Sequence, residues 1–232
     1  MTRATRPKAR YFIVQTWRSQ ANLSVFLGLL VVTVFVLPAL SGRVERITLT
    51  TNLVASVVLT GGVAIAWGRK WLLAAGVMVA IPAIVLRWLE WLTPGPRLNI
   101  WNEAGSLAAV VMIIVIVLAQ VFRGGRVSST KVQGAVAAYL LLGIAYAHGY
   151  RIASLLDPSA ITSTEGPLKS AVDWMYFSFS TLSTVGYGDI VPTGRMSRML
   201  AIGEAVTGQL YLAILIARLV AMEVSSRGEK SA

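Results

Sequence analysis

The 232-residue chain has no cysteine and a single histidine, His148. Disulfide frameworks, thiolate metal sites and cysteine nucleophiles are therefore excluded. Acidic residues are scarce as well, 10 Asp and Glu against 21 Lys and Arg. Charged residues of both signs make up only 13% of the chain, about half the share usual in a soluble domain. No metal-ligand cluster, nucleophile–base pair or phosphate-binding loop is visible, so the chain is not expected to be an enzyme and no cofactor is implied. Internal repeats are absent too, which argues against a secondary transporter.

What remains is apolar. Hydrophobic residues make up 56% of the chain and the mean hydropathy is +0.69. A bilayer-crossing helix needs about 20 apolar residues. Segments 22–40, 47–67, 71–92, 104–122, 132–155 and 196–222 meet that need approximately. A further apolar stretch, 171–183, is too short to cross and fits a re-entrant helix. The expected fold is all-α: six transmembrane helices plus a re-entrant helix and the loop that follows it. The basic N-terminus, with Ala39-Leu40-Ser41 after the first apolar run, has the look of a signal peptide. That run is longer than a signal core of about 7–15 residues, so it reads as a retained first span.

The basic residues set an orientation. With the N-terminus inside, connectors 1–19, 68–70, 123–131 and the tail from Arg218 carry 13 basic residues against Glu223 and Glu229. The outer connectors and span ends carry 8 basic residues against seven acids: Glu45, Glu90, Glu103, Asp157, Glu165, Asp173 and Asp189. This follows the positive-inside rule and places both termini in the cytoplasm. It also explains the net charge of +11 without nucleic acid as a partner. Trp17, Trp67 and Trp71 fall at inner span ends, and Trp88, Trp91 and Trp101 at outer ends, as two aromatic belts. The connector RGGRVSSTK (123–131) breaks the composition. It divides the chain into a four-span unit, 1–130, and a second unit, 131–232.

Within the second unit stands STLSTVGYGDIVPTG, residues 180–194, between two apolar segments. Backbone that is neither helix nor barrel survives at membrane depth only where protein buries it or where it lines a watery cavity. Gly186 and Gly188 tolerate positive φ. Alternating handedness would turn successive carbonyls to one side. The carbonyls of Thr184, Val185, Gly186 and Tyr187, with the Thr184 hydroxyl, would then form a ladder of oxygen ligands suited to a hard cation. Val185 and Tyr187 would pack behind it. One ladder cannot surround an ion, so several copies must share an axis, most simply under closed cyclic symmetry.

TVGYGD, preceded by the aromatic segment WMYFSFSTLS and flanked by two spans, resembles the signature of potassium channels in the tetrameric cation channel superfamily. The resemblance implies a homotetramer in membrane lipid, conducting K⁺ through four loops whose carbonyls replace the ion's hydration shell. It implies a filter at Thr184, Val185, Gly186, Tyr187 and Gly188, with Thr181 at the base. Asp189 then forms a ring at the outer mouth that concentrates cations. Ser180 occupies the position behind the filter and could hydrogen-bond near Asp189. The C-terminal end of the 171–183 helix would aim its partial negative charge at the ion path. In the last span, Gly208 and Gly203 are candidates for a hinge, or for close helix packing. Glu204 is a carboxyl deep in a span, either functional or a structural hydrogen-bonding group. A less selective cation channel on the same scaffold, or a transporter subunit, are the alternatives.

The four-span unit resembles voltage-gated channels only in its arrangement. The fourth span, EAGSLAAVVMIIVIVLAQVF (103–122), carries no Arg or Lys. A gating-charge ladder is therefore missing, and steep voltage dependence is not expected. Arg87 and Glu90 read as an interfacial pair, and His148 as an anchor or packing residue rather than a pH sensor. No regulatory domain is expected in the short tail after residue 222. Compactness points to a bacterial plasma membrane.

Overall fold

The computed structural model describes residues 23–40, 47–66, 69–122, 128–164, 166–168 and 170–231. The basic N-terminus, Trp17, Trp67 and most of the 123–131 connector lie outside them. The described chain is almost entirely helical: α1 (Leu23–Ala39), α2 (Ile47–Ala64), α3 (Lys70–Leu92), α4 (Pro96–Val121), α5 (Ser129–Leu156), α6 (Ala171–Leu182) and α7 (Arg195–Ser231). Each falls where an apolar segment was expected. α7 runs past the expected end at 222, because no proline or turn signal interrupts the sequence there.

Local chemistry sets several boundaries. Pro96 opens α4, where its missing N–H costs nothing. Pro38 has no N–H to give to Val34, and its ring crowds that carbonyl. The preceding turn of α1 widens to π-helical over Val32–Val36, with the Leu37 N–H bonded to the Val32 carbonyl. α6 starts with a capping box. The Asp173 N–H donates to Ser170 Oγ at 3.2 Å, and the Ser170 N–H donates to Asp173 Oδ2 at 3.0 Å. Two orphan donors are satisfied at once.

Two short strands lie among the helices. Ile161–Ser163 (β1) and Ile190–Pro192 (β2) pair antiparallel, with Thr162 opposite Val191. Thr193 and Gly194 N–H groups and the Ser197 hydroxyl all donate to the Ala160 carbonyl. This small ribbon ties the segment after α5 to the exit of the 184–189 loop. Three-residue strands carry too little periodicity to be read from sequence.

A large apolar core joins the first five helices. It is built from residues such as Phe26, Leu59, Ala83, Ile113, Val117 and Leu141. The core continues across residue 130, since α5 packs along α4. A second cluster gathers Tyr150, Trp174, Phe177, Ile161 and Ile190 around the start of α6. Among the described residues, four helices (α3, α4, α5 and α7) are long and apolar enough to cross a membrane; the described apolar parts of α1 and α2 are shorter. α7 stands apart: only 11% of its apolar window is buried in the protomer, against 50% for α5. Ile202, Val206, Leu210 and Ile214 are each more than half exposed. That face needs lipid or further protein to cover it.

Candidate functional site

The loop at 183–189 hangs from the last turn of α6. The Ser183 N–H closes the helix on the Phe179 carbonyl at 3.1 Å. The chain then doubles back. The Thr184 N–H reaches the Thr181 carbonyl at 2.9 Å, and the Ser180 carbonyl accepts from both Val185 and Gly186 N–H, at 2.9 and 3.1 Å. These bonds hold the loop's backbone by its N–H groups. Among the described residues, no donor reaches the carbonyls of residues 184–188.

The dihedral angles alternate. Thr184, Gly186 and Gly188 have φ of 58°, 54° and 83°, while Val185 and Tyr187 between them stay negative. The two glycines take this conformation without steric cost. Thr184 does not: a β-branched residue at positive φ is strained, by about 1–3 kcal/mol. Val185 and Tyr187 are 54% and 71% exposed in the protomer. The Tyr187 ring stacks on Tyr176 of α6, with centroids 6.0 Å apart and planes 8° from parallel.

The remaining expected site residues fall around this loop, with one correction. Thr181 Oγ1 donates to the Phe177 carbonyl at 2.8 Å. Ser180 Oγ also donates to the Phe177 carbonyl, at 3.0 Å. It is the Ser180 backbone, not its hydroxyl directed toward Asp189, that supports the loop. A serine at the end of a helix finds the carbonyl three residues back more readily than a distant carboxylate. Asp189 is half-buried, and its carbonyl accepts from the Thr164 N–H at 2.9 Å, which anchors it to β1.

α7 presses against the back of α6. Gly208 is where the two meet: a Cβ there would lie 2.2 Å from the Leu182 carbonyl oxygen. Only glycine allows that approach. A Cβ on Gly203 would meet nothing closer than the Tyr146 hydroxyl at 3.9 Å, so packing does not require glycine there. α7 continues without a break through both positions. One turn before Gly208, Glu204 is fully buried. Tyr150 of α5 donates to its Oε2 at 2.6 Å, and Ser178 Oγ of α6 lies 2.5 Å from its Oε1. Ser178 Oγ also lies 2.7 Å from the Gly143 carbonyl of α5. Glu204 thus joins the three helices behind the loop. One residue beyond Gly208, Gln209 Nε2 donates to Thr184 Oγ1 at 3.1 Å.

Polar contacts connect the front helices to this part. Glu103 of α4, counted from sequence among the outer acids, is 1% exposed. It accepts from Arg151 Nη1 at 2.9 Å and bonds His148 Nδ1 at 2.7 Å, both on α5. Arg87 and Glu90 each turn to α4: Arg87 Nη2 donates to Ser106 Oγ at 2.9 Å, and Asn102 donates to Glu90. His148 is thus hydrogen-bonded to a buried carboxyl. At the other end of the molecule, Arg218 of α7 donates to the Phe122 carbonyl at 2.9 Å, and its guanidinium lies 4.3 Å over the Phe122 ring. Sequence reasoning missed Gln209, Ser178 and Tyr150. The signal for Gln209 was present, as a polar residue in an apolar run beside a glycine.

A helix pair, α5 and α7, thus cradles a short helix and an irregular, glycine-bearing loop. Residues 133–224 match the family model described as "Ion channel". Over that segment the chain is similar to ion channels, which are membrane proteins, with potassium channels among its relatives. It is 34% identical over 83 residues to two pore potassium channel c of Oryza sativa subsp. japonica, covering 36% of this chain and 17% of that protein. It is 33% identical over 87 residues to protein LctB of Bacillus caldotenax, covering 35% of this chain and 64% of that protein. Over 54 residues it is 46% identical to two-pore potassium channel 4 of Arabidopsis thaliana, or 23% of this chain and 19% of that protein. The chain thus spans less than two thirds of the length of these relatives. No solved structure matches it significantly.

Proposed function

We propose that four copies of the chain surround one axis and conduct K⁺ passively through residues 184–188. The observation that carries this reading is the left-handed φ at every second residue, Thr184, Gly186 and Gly188, with no donor claiming the carbonyls of the segment. In such a segment successive carbonyls face the same way and stand free to accept a cation. A dehydrated K⁺ requires ligands of this kind. Four copies complete its shell, and neighbouring protomers cover the exposed Val185 and Tyr187 and the apolar face of α7. Asp189 forms the outer carboxylate ring, and the C-terminal end of α6 adds its dipole.

In this reading residues 131–232 are the pore unit, and residues 1–130 form a four-helix unit around it. That completes six spans and a re-entrant helix, with both ends of the chain on the cytoplasmic side of a bacterial plasma membrane. The similarity of the chain to proteins named as potassium channels supports K⁺ as the permeant ion.

The test is the reversal potential of the purified protein in a planar bilayer, with K⁺ on one side and Na⁺ on the other. A value near the K⁺ equilibrium potential is expected. Gly186→Ala should abolish it, because a Cβ at φ 54° is strained by about 1–2 kcal/mol in each of four copies. A wild-type value near zero overturns K⁺ selectivity and leaves a less selective cation channel.

A further inference from the structure

We infer that Gln209 is a positioning residue for the innermost cation site, setting the direction and hydrogen-bonding state of the Thr184 hydroxyl. The inference rests on the filter reading above and adds to it a residue outside the TVGYG segment.

Three observations converge on this position. First, Thr184 is the non-glycine residue held at positive φ in the loop. Its strained backbone has to be fixed by its surroundings. Second, Gln209 Nε2 donates to Thr184 Oγ1 at 3.1 Å. Third, the register of α7 against α6 is locked one residue earlier, where Gly208 lies against the Leu182 carbonyl too closely for any Cβ. Gln209 therefore cannot slide along α7 relative to the loop. Its amide is delivered to Thr184 by a backbone contact.

The chemistry follows from counting. A hydroxyl has two lone pairs and one hydrogen. With one lone pair accepting from Gln209, one remains for a cation, and its direction is fixed. The Gln209 carbonyl oxygen is not consumed by this bond. In a four-fold assembly, four such amide oxygens surround the axis just below the Thr184 hydroxyls. They would accept hydrogen bonds from the water of a partly hydrated cation about to enter. The position thus couples dehydration to the first all-oxygen site.

Ba²⁺ is the probe, having nearly the size of K⁺ with twice its charge. Applied from the inner side of the bilayer, it should block by occupying the innermost site. Gln209→Leu keeps the bulk and loses both polar groups. Gln209→Glu has no N–H to give, so the Thr184 hydroxyl must turn and donate to it, and a negative charge is added. Block is expected to weaken by about tenfold in Gln209→Leu, the equivalent of about 1.4 kcal/mol shared over four copies. It should tighten in Gln209→Glu. Should Gln209→Leu fail to assemble, Gln209→Glu decides alone. Wild-type Ba²⁺ affinity in the assembling variants, with unchanged voltage dependence of block, overturns the inference while leaving the filter reading intact. A wild-type protein without K⁺ selectivity overturns the filter reading itself. A purely packing role for Gln209 would lower thermal stability and leave the block of assembled channels untouched.

Discussion

Glu204 gives the sharpest prediction, because the hydrogens around it can be counted. Three oxygen–oxygen contacts meet there: Tyr150 to Glu204 at 2.6 Å, Ser178 to Glu204 at 2.5 Å, and Ser178 to the Gly143 carbonyl at 2.7 Å. Each contact needs one hydrogen. The two hydroxyls supply two, and the Gly143 carbonyl supplies none. The third must come from the Glu204 carboxyl itself. A carboxyl that donates to Ser178 and accepts from Tyr150 has the donor–acceptor pattern of a primary amide. Glu204→Gln should therefore keep all three contacts, and Glu204→Leu should lose two of them and leave the buried Tyr150 hydroxyl without its acceptor.

The magnitudes separate the two variants. An unsatisfied buried hydroxyl costs about 1–3 kcal/mol, and with the lost bonds Glu204→Leu should cost about 2–4 kcal/mol per protomer. For a chain of this size that corresponds to a melting temperature lower by about 5–15 °C. Glu204→Gln should remain within about 1 kcal/mol of the wild type. The assay is thermal unfolding of the detergent-solubilised protein, alongside K⁺ flux into liposomes. Both variants falling by the same amount would refute the hydrogen count. A carboxylate accepting from both hydroxyls would then be the correct description, with the Gly143 carbonyl unserved by Ser178.

Three other outcomes are expected. Gly208→Ala drives a Cβ into the Leu182 carbonyl, a backbone atom that cannot turn aside; it should cost at least about 1–3 kcal/mol and lower the yield of assembled protein in size-exclusion chromatography. Arg218→Met removes the hydrogen bond and the ring contact to Phe122 at about 1–2 kcal/mol together, and faster hydrogen exchange near residues 118–122 would report it, whereas unchanged exchange would mean the contact holds nothing. The stretch 103–122 carries no Lys or Arg, and a charge moved through the field is worth about 2.3 kcal/mol per 100 mV, so the conductance–voltage relation of the purified protein should be shallow; a slope of several effective charges would contradict it.

The helices were legible because apolar length alone marks them, and the loop because TVGYG is specific in both composition and setting. The alternation of handedness expected for the glycines is present, but it extends to Thr184, which no propensity would place at positive φ. That feature belongs to the surroundings: the Ser180 and Thr181 carbonyls and the Gln209 amide hold the turn. The same limit applies to Glu103 and Glu204. From sequence one was placed in an outer connector and the other left between two roles. Their burial depends on partners 45 and 54 residues away, His148 and Tyr150. Charge and hydropathy are properties of a residue and its neighbours along the chain, so they locate spans and loops. Whether a carboxyl is buried depends on which hydroxyl, imidazole or guanidinium faces it across a helix interface, and that is set by the register of packing. Here the register of α7 against α6 is fixed by a single missing Cβ, at Gly208. The same contact that makes this glycine indispensable to packing therefore places Glu204 one turn to one side and Gln209 beside Thr184.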